Sequence, residues 1–294
     1  MKPFHSYDQQ IDLLESRGLQ IPDRDTARHF LQHHNYYRLS AYRFSFQDAS
    51  DHFRPGANFE DLCQLYQFDR GLRLLVGEAC EALEVSVRAR WAYVLGEQHG
   101  SQAFENPSIF GDPQLHTRHL ASLDREIGRS HEVFIPHYQN TYGMPRPPIW
   151  AACEVMSFGL LSRFYANIKQ VSLQKQIAKT YGLSAQGLES LLLHASYLRN
   201  LCAHHSRLWN RSFTITVALP RRHPVGVVPA LNSDPTADRK IYNSLVLLAH
   251  LMDVISATAD WKPRLKAHLL TLNQPDHTEM AFPSGWQALD FWQM

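Results

Sequence analysis

The chain has 294 residues, 44% of them apolar and 19% charged, which is enough to close one large or two modest cores and excludes a disordered protein. With 29 Lys and Arg against 28 Asp and Glu the net charge is +1, so no whole-molecule basic field marks a nucleic-acid binder, and any such footprint has to be local. Four scattered cysteines without a CxxC pair exclude a zinc knuckle, a redox dithiol and a secreted disulfide framework.

The opening MKPFHSYDQQ lacks the apolar stretch of a signal peptide, and no later run approaches the roughly 20 apolar residues of a bilayer span. The expectation is a soluble, cytoplasmic protein without a membrane partner. Ser6 and Asp23 stand where helix N-caps would, ahead of YDQQIDLLESRG and RDTARHFLQHH, with Gly18 closing the first. Residues 1–57 therefore read as an N-terminal helical hairpin region. His29 and His33 share the i,i+4 spacing of a metal pair but lack a third ligand, so no metal is expected.

From Asn58 to Glu97 Leu62, Leu65, Leu72, Leu75, Ala79, Leu83, Val87 and Trp91 recur at helical spacing without one proline, predicting one long helix or two end to end. Asp69 with Arg73, and Glu84 with Arg88, have the spacing of intrahelical ion pairs. GSQAFENPSIFGDP and TYGMPRPP read as loops around a helix near His116 to Gly128. Helix resumes through IWAACEVMSFGLLSRFYANI and VSLQKQIAKTYG, then runs from Ala185 to about Trp209. Phe213, Ile215, Val217 and Leu219 alternate as a short strand would, the Pro-rich stretch near 220–237 reads as a loop insertion, and helix returns from Asp238 to Thr258. The division expected is a helical core over 58–272 and a C-terminal tail over 273–294, in an all-α chain with no GxxxxGKS or GxGxxG phosphate cradle and no cofactor.

Between Glu189 and Asp234 there is no acidic residue, while Arg199, Arg207, Arg211, Arg221 and Arg222 fall there with several histidines. In YLRNLCAHHSRLWNR, Arg199, Asn200 and His204 lie at helix angles of roughly 0°, 100° and 140°, on one side of a helix. RNA cleavage by transfer to the 2′-hydroxyl needs a base, an acid and positive charge against the phosphorane, roles that histidine and arginine fill near neutral pH. His205 projects elsewhere and suits phosphate contact or capping. Arg207 and Arg211, flanking Trp209, have the mixture suited to phosphate contact and base stacking, or to a solvated helix end. Tyr36, Tyr37 and Arg38 offer an aromatic and basic contact to RNA, with packing the leading alternative. Glu81 or Arg88 could buttress the catalytic arginine.

RNLCAHHSRLWNR resembles the RNxxxH signature of the HEPN superfamily, in the extended form of the Abi abortive-infection proteins (AbiD- and AbiF-like). NYYRLSAYRFSF, FDRGLRLLVGEACEALEVSVRARWAY and PPIWAACEVMSFGLLSRFYANI resemble the same family, so that the likeness runs from about Tyr7 to Arg211. The resemblance implies an HEPN-like helical bundle with additional N- and C-terminal helices, in a bacterial anti-phage system. It further implies endoribonuclease action on single-stranded RNA, or alternatively the holding of a dedicated small non-coding RNA with the nuclease latent or absent. Because HEPN nucleases bring two motifs together and this chain carries one, a homodimer is expected. A protein that grips a partner and uses the motif only structurally is the third possibility.

Overall fold

The computed structural model of the chain describes residues 3–256, 258, 260–272 and 277–293. Among them are twelve α-helices and no β-strand, as the sequence pattern predicts. Helices α1 (Tyr7–Ser16) and α2 (Arg24–His33) form the expected hairpin. Ser6 and Gln9 exchange side chain and backbone bonds as a capping box, and Asp23 accepts from the amides of Asp25 and Thr26. Helix α3 (Tyr36–Arg43) follows, capped by Asn35.

Helix α4 (Phe59–His99) is a single helix of 41 residues, about 60 Å long at 1.5 Å per residue. It is the axis of the molecule. Helices α3, α7 (Ile149–Val155), α9 (Val171–Lys179), α10 (Ala185–Ala203), α11 (Tyr242–Ile255) and α12 (Trp261–Leu269) all pack on it. The stripe Leu62, Leu65, Leu72, Val76, Leu83, Val87 and Trp91 is buried against them, each such side chain contributing roughly 1.5–3 kcal/mol by leaving water. Helix α5 (Pro113–Arg129) covers α7 and α8 (Phe158–Ala166), and α6 (Phe134–Tyr142) follows it in the chain. Trp286 and Trp292 of the C-terminal segment are also buried, the indole of Trp292 donating to the Tyr242 hydroxyl.

Three sequence expectations change. The helix read through IWAACEVMSFGLLSRFYANI breaks at Met156 and Ser157, where Ser157 caps α8. Its amide and hydroxyl both donate to Glu126, each at 2.8 Å, so the side chain of α5 stabilises the break. The predicted strand at Phe213 to Leu219 is an extended segment with no ladder. Phe213 and Val217 are buried as the alternation requires. Their backbone is satisfied by helices instead, with Ile215 carbonyl accepting from His194 and the Ala218 amide donating to Ser190. The long helix expected to reach Trp209 ends at Ala203, so Arg207 and Arg211 do not share a helix face.

Candidate active site at the end of α10

Helix α10 ends because the chain turns left-handed at His205, φ +54°. The His205 amide donates to the Cys202 carbonyl and the Ser206 amide to the Leu201 carbonyl, the paired bonds of a Schellman turn. Glycine usually occupies that left-handed position; a histidine there is uncommon and sits in a strained backbone state. His204, the C-cap, and His205 are both exposed.

Two tertiary contacts hold this turn. Arg38 of α3 donates to the His205 carbonyl at 2.8 Å. Asp69 of α4, fully buried, accepts the amides of Leu208 and Trp209 at 3.0 and 2.7 Å. The same carboxylate takes the Tyr42 hydroxyl at 2.6 Å and pairs with Arg73. Four donors compensate a charge that would be very costly to bury alone. Trp209 then drops into the core at 0% exposure, near-parallel to Tyr42 at a centroid distance of 6.4 Å.

Arg199 and Asn200 lie one turn back from His204 and are exposed. The Asn200 carbonyl accepts the His204 amide at 3.0 Å, and the Asn200 side chain accepts weakly from Arg199 at 3.5 Å. Pairing of Glu84 with Arg199, Gly77 with Cys202 and Asp69 with Leu208 makes α10 antiparallel to α4. Glu84 is thereby placed 3.7 Å from the Arg199 guanidinium while also accepting from Arg88 at 2.5 Å. Arg88 is held in turn by the Met156 carbonyl at the break between α7 and α8, at 2.6 Å. Burial raises the Glu84 carboxyl above its ordinary range, against the lowering effect of the Arg88 and Arg199 charges. An open depression of about 400 Å³ extends from Arg199 past Glu84, Glu126, Arg129 and Ser157.

A family model described as Abi-like protein matches residues 29–210, from α2 to the residue after Trp209. The chain belongs to the Abi-like protein family. The match covers Asp69, Glu84, Arg199, Asn200, His204 and the turn that carries them, and membership connects the chain to abortive infection. Neither a curated protein nor a solved structure matches this Abi-like chain. No helix among the described residues is long and apolar enough to cross a membrane.

The sequence-predicted residues of the Abi-like chain separate into groups. Arg199, Asn200, His204 and His205 come together on the exposed end of α10, with half-buried Arg207 beside them. Trp209 cannot stack on a base, because both faces of its ring are buried; it is a core anchor, with Arg207 6.0 Å from its centroid. Arg211 turns back to the Arg207 carbonyl and toward Tyr197. Arg221 and Arg222 line a cavity with Gly182, Ser184 and Gly187, at the opposite end of α10, about 25 Å from His204 along the helix. Of the supporting pair, Arg88 is in place, but the carboxylate beside Arg199 is Glu84; Glu81 is exposed and has no ion pair among the described residues. Arg38 acts on the backbone of the turn, Tyr37 is exposed and Tyr36 half-buried. His29 and His33 meet edge to face at 4.8 Å.

Asp69 and Glu84 are the residues that sequence reasoning did not assign to the site. A signal existed: both fall on the apolar stripe of α4, four residues after Leu65 and Cys80 and three before Leu72 and Val87. A carboxylate in such a register has to find donors on another element.

Proposed function

We propose that the chain is a HEPN-type endoribonuclease of an abortive-infection system, cutting single-stranded RNA without a metal ion. The observation that carries the reading is the joint exposure of Arg199, Asn200 and His204 on one helix end, braced from behind by Asp69, Arg38 and Glu84. Exposed reactive groups on a rigid support are what positioning catalysis requires.

In this reaction a histidine takes the proton from the ribose O2′, the O2′–P bond forms, and the P–O5′ bond breaks. An acid gives O5′ a proton, leaving a 2′,3′-cyclic phosphate and a 5′-hydroxyl. Arg199 opposes the charge that develops on the phosphorane oxygens, and its planar fork suits two of them. Asn200 orients the phosphate or the imidazole. One His204 cannot be base and acid at once, so a two-fold homodimer would supply the second His204 and Arg199.

The test is incubation of wild-type and His204→Ala protein with end-labelled single-stranded RNA in EDTA, followed by mapping of fragment ends. Cleavage by the wild type alone, with cyclic-phosphate ends, is expected. Absence of cleavage by either protein sinks the nuclease reading in favour of one in which the chain holds a non-coding RNA.

A further inference from the structure

A cavity of about 400 Å³ lies between the start of the chain and α3, on the far side of α3 from the α10 turn in sequence register. Its chemistry is selective. Phe4, Tyr7, Tyr36 and Tyr37 supply aromatic surface, Arg17 and Arg43 supply charge, and among the described residues no carboxylate lines it. Arg43 is fixed by stacking 5.9 Å from the centroids of both Tyr36 and Phe44 and by donating to the Tyr36 hydroxyl at 2.9 Å.

Two guanidinium nitrogens of this cavity, Nη1 of Arg17 and Nε of Arg43, are buried and have no hydrogen-bond partner. Neither arginine has an ion pair among the described residues, in contrast to Arg24 and Arg28 of the adjoining α2, which pair with Asp12, Glu15, Asp8 and Asp25. A buried cationic donor left without an acceptor is costly. Both nitrogens are closed off from solvent as they stand, so they gain an acceptor when the two side chains turn toward the cavity they line, and the acceptor that suits a guanidinium best is a carboxylate or a phosphate. Tyr37 and Phe4 meanwhile stay 71% and 90% exposed, leaving ring faces open for a flat apolar partner.

We propose that this cavity binds a nucleotide, its phosphate on Arg17 and Arg43 and its base against Tyr37 and Phe4. The pairing of an aromatic platform with cations is the general solution for holding a nucleotide by stacking and charge together, and the volume suits a ligand of that size. The ligand is either a free mononucleotide or the phosphorylated end of an RNA strand. The site is separate from the α10 end, but α3 joins them, since its Arg38 holds the His205 carbonyl.

The test is calorimetric titration of the full chain with 5′-AMP, with adenosine, with inorganic phosphate and with a 5′-phosphorylated oligoribonucleotide. Saturable binding of 5′-AMP is expected, with adenosine and phosphate each weaker by about tenfold or more. Tyr37→Ala, at an exposed position that the fold does not need, and Arg17→Gln should each weaken 5′-AMP by about tenfold. An oligonucleotide that binds more tightly than 5′-AMP and loses that advantage in Tyr37→Ala and Arg17→Gln assigns the site to an RNA end. One whose tighter binding survives both variants is held at the end of α10 and leaves the cavity to the free nucleotide; both uphold the proposal where the variants weaken 5′-AMP. Lack of saturable binding of either, or unchanged affinity in both variants, overturns it. Binding is read without cleavage, so a protein that binds 5′-AMP yet cuts no RNA would sink the nuclease reading and leave this one standing.

Discussion

Asp69 and Glu84 occupy the same helix, the same apolar register and the same i,i+4 relation to an arginine, yet their surroundings differ. Asp69 is closed off, with Tyr42, Arg73 and the amides of Leu208 and Trp209 filling its acceptor capacity. Glu84 is also buried, but two guanidinium groups face it and it lines an open depression that reaches the surface. An acid on an apolar stripe becomes a structural hub where backbone donors can reach it. It becomes part of a site's electrostatics where an exposed cation, here Arg199, completes its shell.

The largest effect should come from Asp69→Ala, which orphans two backbone amides and the Arg73 charge. A loss of about 3–5 kcal/mol in urea unfolding is expected; a loss under about 1 kcal/mol would erase the contrast with Glu84.

Next is acidification. His194 of α10 is buried, donating from Nδ1 to the Ile215 carbonyl and accepting at Nε2 from Ser244, and burial pushes it down from 6.5 to about 4. The unfolded chain takes up a proton below about pH 6.5 while the folded one refuses it until about pH 4. Stability is therefore full above pH 6.5 and falls across that window by about 3 kcal/mol from this residue. Burial depresses His268, His277 and His119 too, which adds to the same fall. His194→Gln should flatten the pH dependence of denaturation midpoints; an equally steep wild-type and variant curve would refute the assignment.

Glu84→Gln should cost about 2 kcal/mol in stability but lower RNA cleavage about tenfold by releasing Arg199, in line with the loss of one charge-assisted positioning contact. Glu84→Asp should recover part of the rate, and a rate that falls only as far as folding does would leave Glu84 no positioning role. Arg38→Ala removes one bond to the His205 carbonyl and should lower the melting midpoint by the equivalent of about 1 kcal/mol. Glu81→Gln should stay within about 0.5 kcal/mol and keep cleavage unchanged; a defect matching that of Glu84→Gln would show that the wrong carboxylate has been assigned.

The sequence by itself determined the all-α class, the helical run from Asn58 to Glu97 though not whether it was one helix or two, the caps at Ser6 and Asp23 and the clustering of Arg199, Asn200 and His204. These follow from local periodicity and capping chemistry, which act over a few residues. Tertiary structure alone decided where α10 stops, that Trp209 is core, that Phe213 to Leu219 pairs with no strand, and that Glu84 faces Arg199. The reason is the range of the forces involved. Asp69 lies 139 residues from Leu208, and its buried carboxylate, satisfied by backbone amides from that distance, overrides a helical pattern that would otherwise have run on through Trp209.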